Sequence, residues 1–306
     1  MSLKILFMGT PEFSVPILES IHKSNHKLLA VYTQPPTKKS RGQKIIESPV
    51  HIISKKLNID VRCPNNLNND EEFNFIKNLA PNIVVVAAYG QIIKNFFLDI
   101  PNITFINVHA SLLPRWRGAA PIQRCMMEMD KETGITIMKI IPKLDAGPYM
   151  LQEKIKISNN ISQEVLTKQL AILGGKMIIK SLDLIEVHKE KFENQNENKV
   201  TYAKKIQKYE AEIKWNIPAK NLAAKINGLS PFPGAWFKHK KIRIKIIKAE
   251  EINLDGKIGE VLKDDLTIGC SKNAIRIISL QKEGKKNIST KEFLSGYSIK
   301  KGEFLN

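Results

Sequence analysis

Ile103-Thr104-Phe105-Ile106-Asn107-Val108-His109-Ala110-Ser111-Leu112-Leu113-Pro114-Arg115-Trp116-Arg117-Gly118 decides how the chain is read. Its start, Ile103 to Ile106, reads as a buried strand. An amide, an imidazole and a hydroxyl then follow at alternate positions. Side chains alternate between the faces of a strand, so Asn107, His109 and Ser111 are expected on one face. Polar groups that converge where a parallel strand ends are what an open α/β sheet uses for a ligand crevice. Leu112-Leu113-Pro114 turns the chain away, and Arg115 to Gly118 leads into a helix over 119–129.

Outward from this stretch the pattern repeats. Lys4–Met8, Leu28–Thr33, Ile59–Cys63 and Asn82–Ala88 read as strands. The last is an unbroken apolar run, as expected for a strand covered on both faces. Between them Phe13–Ser24, a helix capped at Ser48 with Pro49 at its first position, and Asp70–Leu79 fit helices. Downstream, Thr133–Ile141 and Leu151–Ile157 are strands and 161–187 is a long amphipathic helix. Strands alternating with helices predict a Rossmann-like, mainly parallel sheet over residues 1–188. Only Gly9 follows the first strand, with no GxGxxG, which argues against a nicotinamide cofactor. Residues 34–44 form a long polar loop with four cations, Lys38, Lys39, Arg41 and Lys44; loops of that length without periodicity are often functional. Residues 189–203 are polar and nearly free of core residues, and read as a linker. Beyond it, 204–306 carries short strands with frequent turns, the pattern of a small OB-like β-barrel.

The 306 residues suffice for two domains, and 42% hydrophobic with 25% charged residues is a globular composition. Nothing resembles a signal peptide, and no apolar run nears the roughly 20 residues of a membrane helix. Cys63, Cys125 and Cys270 are scattered without CxxC spacing, so neither disulfides nor zinc is expected and a reduced cytosolic setting is. The net charge of +18 is uneven: residues 200–306 hold 22 Lys+Arg against 11 Asp+Glu, and residues 1–199 hold 26 against 19. The final third is about three times as basic per residue, a field that favours a polyanion such as nucleic acid. A Lys-rich composition bias would produce the same excess.

The chemistry centres on Asn107, His109 and Asp145, the last in the turn Lys143-Leu144-Asp145-Ala146-Gly147-Pro148. An amide N–H₂ can donate to a developing oxyanion, and an imidazolium paired with a carboxylate can do so too or relay a proton. The trio suits acyl transfer to an incoming amine. No serine or cysteine nucleophile is evident, so direct transfer between two bound substrates is the simpler mechanism. The same residue types also fit a bland reading, in which Asn107 caps a turn, His109 is a satisfied core histidine and Asp145-Ala-Gly is an Asx turn. A metal site is not expected, because no second His or carboxylate stands at ligand spacing.

At these residues the sequence resembles the methionyl-tRNA formyltransferase family of folate-dependent formyltransferases. The resemblance rests on Asn107-Val-His109-Ala-Ser111-Leu-Leu-Pro114-Arg-Trp-Arg-Gly-Ala-Ala-Pro-Ile-Gln123, on Thr133–Met138 and on Asp145-Ala-Gly147. Phe7–Phe13, Val85–Gln91, Thr201-Tyr-Ala203 and Gly228–Trp236 extend it along the chain. It implies transfer of the formyl group of 10-formyltetrahydrofolate to the α-amine of methionine on initiator Met-tRNA, for translation initiation. By carry-over, Asn107 and His109 polarise the formyl oxygen, while Asp145 orients and charges His109. Ser111, Leu112, Leu113 and Pro114 line the folate site near Tyr89, Gln91 and Ile92. The 34–44 loop meets the tRNA acceptor stem through Arg41, with Lys38, Lys39 and Lys44 beside it, and the basic C-terminal domain meets the tRNA backbone. A cytoplasmic monomer without metal or membrane contact is expected. A formyltransferase for a sugar nucleotide or glycinamide ribonucleotide would keep the trio without needing the basic loop or basic C-terminal third. A non-catalytic RNA-binding protein would not need His109.

Overall fold

The computed structural model describes residues 2–39, 44–158 and 161–305, with side chains described outside 38–44. Two compact units divide the chain. The first comprises Met1–Gly118, Thr133–Ile155 and Thr167–Tyr202; the second comprises Ala119–Glu132, Lys156–Leu166 and Ala203–Asn306.

The first unit is built on a seven-stranded sheet of Lys4–Gly9 (β1), Lys27–Tyr32 (β2), Val61–Arg62 (β3), Ile83–Ala87 (β4), Thr104–His109 (β5), Glu132–Lys139 (β6) and Tyr149–Lys156 (β7). Their order is β7-β6-β5-β4-β1-β2-β3. The pairs from β3 through β5 are parallel, and β6 runs antiparallel to β5. Ile5, Leu6, Phe7, Val84 and Val85 are wholly buried, which is why these strands read as continuous apolar runs rather than alternating ones. The chain moves outward from β1 to β3, then returns to the other side of β1 as β4. In open α/β sheets ligands bind at the carboxyl ends of the strands on either side of such a reversal, here β1 and β4.

The helices arise where the sequence predicts them. The Ser48 hydroxyl accepts the His51 N–H at 3.0 Å and caps Pro49–Lys56; Asn69 caps Asp70–Leu79 in the same way, accepting from Glu72 at 2.9 Å. The long helix Gln163–Glu186 comes close to β5 at Gly174, where a Cβ would sit 3.0 Å from Val108 Cγ1 and 3.2 Å from Ile17 Cδ1. Residues 34–44, expected as an irregular loop, instead contain an antiparallel ribbon, Thr37–Lys39 against Lys44–Ile46, with Lys39 opposite Lys44. The two runs are too short for periodicity to reveal them, yet pairing satisfies their backbone groups.

The second unit has a six-stranded antiparallel sheet: Ala235–His239 (β8), Ile242–Ile252 (β9), Val261–Lys263 (β10), Thr267–Gly269 (β11), Ala274–Lys282 (β12) and Ile288–Ser289 (β13). The order is β8-β9-β12-β11-β10, with β13 also on β12. This is a small β domain, as the short strands predict. Helix Ala219–Leu229 covers a core of Phe237, Ile244, Ile246, Ile277 and Leu280, in which Trp215 meets Phe237 edge-on at 5.6 Å. Among the described residues no helix is long and apolar enough to cross a membrane.

Candidate active site

His109 is the last residue of β5 and is buried, at 6% exposure. Its Nε2 lies 2.9 Å from the Trp116 carbonyl oxygen. A carbonyl only accepts, so Nε2 carries a proton and donates it there. The opposite nitrogen, Nδ1, faces Asp145 Oδ2 at 3.8 Å, beyond direct hydrogen-bond reach. Two residues back on the same face, Asn107 is half-buried beside Val86 and Met138, and its side chain makes no hydrogen bond among the described residues. An uncommitted amide and a half-committed imidazole thus share one strand end.

Asp145 is held at both ends. Its carboxylate Oδ2 accepts the Gly118 N–H at 2.8 Å. Its backbone has φ +45°, in the left-handed region, and its carbonyl accepts Gln195 Nε2 at 2.9 Å. The same nitrogen donates to the Gly147 carbonyl at 2.7 Å. Gln195 Oε1 in turn accepts Arg117 Nε at 3.0 Å, and the wholly buried Arg117 reaches Glu197 at 2.7 Å. Hydrogen bonds from Arg117, then from Lys143, hold the Glu197 carboxyl down at about 2. A depressed carboxylate contributes stability above its ordinary value near 4.5 and loses it as pH falls toward 2. Urea denaturation from pH 5 to pH 2 should therefore show a steeper loss for the native chain than for Glu197→Gln.

The other predicted residues fall in different places. Ser111 lies past the strand end, so alternation no longer governs it; its buried hydroxyl donates to the Arg115 carbonyl at 2.6 Å. Thr136 Oγ1 donates to the Ser111 carbonyl at 2.6 Å and accepts the Leu113 N–H at 3.1 Å, while Gln152 Nε2 donates to the Leu113 carbonyl at 2.6 Å. Leu113 is buried; Leu112 and Pro114 are half-buried. Ala110 is absent from the positive-φ residues, so its methyl is accommodated. Tyr89 points into the core, where burial pushes its phenol up, and Gln91 ties Leu67 N–H and the Pro64 carbonyl at 2.7 and 2.9 Å. Ile92 is 81% exposed. Arg41 lies outside the described residues; the backbones of Lys38, Lys39 and Lys44 lie in the ribbon. The contacts of Thr136, Gln152, Gln195 and Arg117 were not read from the sequence, although Thr136 and Arg117 stand in the quoted motifs, since each acts across a long chain separation that local spacing cannot reveal.

The sequence profile described as Formyl transferase matches residues 3–182, and Formyl transferase, C-terminal domain, matches 205–298. The chain is 49% identical over 304 residues to the methionyl-tRNA formyltransferase of Pelagibacter ubique, covering 99% of this chain and 98% of that protein. The chain belongs to the methionyl-tRNA formyltransferase family. The family's Brucella anthropi protein is 40% identical, with 98% of this chain and 99% of that one covered. Two solved structures share the fold: the methionyl-tRNA formyltransferase from Clostridium thermocellum, and HypX from Aquifex aeolicus in complex with tetrahydrofolic acid. The first has a TM-score of 0.57 at 16% identity, covering 83% of this chain and 95% of that one. The second has a TM-score of 0.66 at 15% identity, covering 100% and 51%.

Two other clusters in this methionyl-tRNA formyltransferase family member imitate sites. Cys63 Sγ lies 3.4 Å from His51 Nδ1, and His51 Nε2 lies 3.5 Å from Glu47, in the order of a nucleophile relay. Burial, then the Glu47 charge, push the Cys63 thiol up, the opposite of activation. His26, Asp183 and Glu186 place ligand atoms within 4.8 Å of one another. However, the Leu3 N–H points at His26 Nδ1 at 3.4 Å, which leaves the ring proton on Nε2 facing Asp183 at 3.3 Å. That nitrogen is a donor, not a metal ligand.

On β8 and β9 the second unit turns Ile244 and Ile246 inward, while Lys238, Arg243 and Lys245 share the other face with Trp236. Arg243 stacks over the Trp236 ring at 4.3 Å. Burial, then Arg243, hold the Lys245 ammonium below its ordinary value. Cations crowded on one face in this way suit a phosphate backbone.

Proposed function

We propose that this protein transfers the formyl group of 10-formyltetrahydrofolate to the α-amine of methionine on initiator Met-tRNA, with Asn107, His109 and Asp145 carrying the chemistry. One observation carries the assignment: the imidazole is fixed between a carbonyl and a carboxylate beside an amide that has no partner among the described residues. The folate supplies an N-linked formyl group whose carbon the amine attacks. Asn107 Nδ2 donates to the formyl oxygen as negative charge develops there. His109, held through Nε2 by Trp116, takes the proton of the attacking amine on Nδ1 and returns it to the departing folate nitrogen. Asp145 stabilises the imidazolium formed in between. With Nε2 committed to Trp116, Asn107 is the main oxyanion donor, and His109 contributes charge and proton transfer.

The folate is proposed to meet the half-buried Leu112 and Pro114, the exposed Ile92 and the backbone of 89–91, with Ser111, Leu113, Tyr89 and Gln91 shaping that surface from behind. Residues 1–188 are proposed as the catalytic domain and 204–306 as the tRNA-binding domain, joined by 189–203. A monomer in the cytoplasm is proposed, where its charged tRNA substrate is made and used. The deciding assay offers charged initiator tRNA and charged elongator tRNA with 10-formyltetrahydrofolate; formylation of the first alone is expected.

Arg41, with Lys38, Lys39 and Lys44, is proposed to contact the tRNA acceptor stem. Arg41→Ala is expected to raise KM for tRNA without changing KM for the folate, and to lower the slope of log affinity against log salt by about one phosphate contact. An unchanged salt slope would remove the ribbon from the tRNA interface. A sugar-nucleotide reading would be favoured if charged tRNA were not formylated.

A further inference from the structure

Trp116, Arg117 and Gly118 form one strip that touches both members of the His109–Asp145 pair. The Trp116 carbonyl holds His109, the Gly118 N–H holds the Asp145 carboxylate, and Arg117 between them holds Gln195. We propose that Gln195 is a positioning residue for the formyl transfer, fixing Asp145 at its working distance from His109; this rests on the assignment of Asp145 to the chemistry above.

The orientation of the Gln195 amide is forced. Arg117 Nε can only donate, so it must face the amide oxygen. The amide nitrogen must then face the Asp145 and Gly147 carbonyls, which can only accept. Both of its protons are used, one on each side of Ala146. Gln195 is 8% exposed, so water does not readily replace these bonds. They brace a turn whose Asp145 adopts φ +45°, in the left-handed region that is sparsely populated outside glycine and more open to Asp than to most residues. Arg117 is anchored independently of Asp145: its backbone N–H donates to the Thr201 carbonyl at 2.9 Å, and its guanidinium meets Glu197. The hold therefore runs from Glu197 through Arg117 and Gln195 to the Asp145 backbone, while the carboxylate rests on the residue after Arg117. Without Gln195 the turn loses the two bonds that brace the Asp145 and Gly147 carbonyls and keeps the Gly118 N–H on the Asp145 carboxylate and the Lys139 N–H on the Pro148 carbonyl, so the 3.8 Å approach to His109 is less firmly set.

The test uses the full-length enzyme with charged initiator tRNA. Gln195→Met removes both donors at similar size. It is expected to lower kcat about tenfold, with KM for tRNA and folate within about twofold. In an Asp145→Asn background the same substitution should cost nothing further, because the carboxylate it positions is already lost. Gln195→Glu adds a pH readout and serves if Gln195→Met does not fold. A neutral carboxyl can donate to one carbonyl and a carboxylate cannot, so its activity relative to the native enzyme should rise as pH falls. A full loss that persists in the Asp145→Asn background, or an unchanged kcat in Gln195→Met, overturns the positioning role. An unchanged kcat in Asp145→Asn overturns the assignment of Asp145 itself.

Discussion

His109→Ala is expected to lower kcat for formylation by about 10²–10³-fold while leaving tRNA affinity within about twofold. The size follows from what the ring does. The substitution removes the proposed proton acceptor for the amine, the Nδ1 that faces Asp145. A second, smaller consequence runs through stability. Deleting a 6%-exposed ring removes the hydrogen bond that it donates to the Trp116 carbonyl, a loss of about 0.5–1.5 kcal/mol. Turnover and unfolding must therefore be measured together. His109→Gln, which can still donate to Trp116, should recover much of the stability and little of the rate. If His109→Ala retained native turnover, the site would be elsewhere and the α/β unit would be a scaffold for RNA binding.

Gly147→Ala should be nearly as damaging although the residue carries no functional group. A Cβ there runs into the Lys139 carbonyl oxygen. That oxygen cannot step aside: Lys139 pairs with Ile106 in the sheet, and its N–H donates to the Pro148 carbonyl at 2.9 Å. The turn must move instead, taking Asp145 with it. If Asp145 has the role proposed above, displacing it by about 1 Å costs on the order of 10²-fold in rate, and the overpacking costs about 1–3 kcal/mol of stability. Steady-state kinetics and thermal denaturation of the variant give both numbers. A kcat within about twofold of native would show that the turn can shift without disturbing His109.

Proline 148, which follows the turn, is compatible with this geometry because it contributes only its carbonyl to β6. The clash at Gly147 illustrates a kind of information that is invisible locally. Nothing in Asp145-Ala146-Gly147 announces that a strand carbonyl lies against the glycine. The same holds for Gln195, which sits in a polar stretch with the composition of a linker and is nevertheless buried against Asp145 and Gly147.

What the sequence determined by itself was everything that depends on period, run length and local chemistry. The buried apolar runs of β1 and β4, the cap at Ser48, the helix Asp70–Leu79 with acids in its first turn, and the placement of Asn107 and His109 on one face of β5 follow from side-chain alternation, capping and helix-dipole chemistry. Motif order alone also pointed to the family. Only the tertiary structure decided how the imidazole is held. The Trp116 carbonyl takes one nitrogen and Asp145 approaches the other across 36 residues of sequence, set by the strand order and by Gln195. The physical reason is that local chemistry is written in neighbouring residues, whereas distances between residues far apart in the chain are written only in how the sheet and its turns pack.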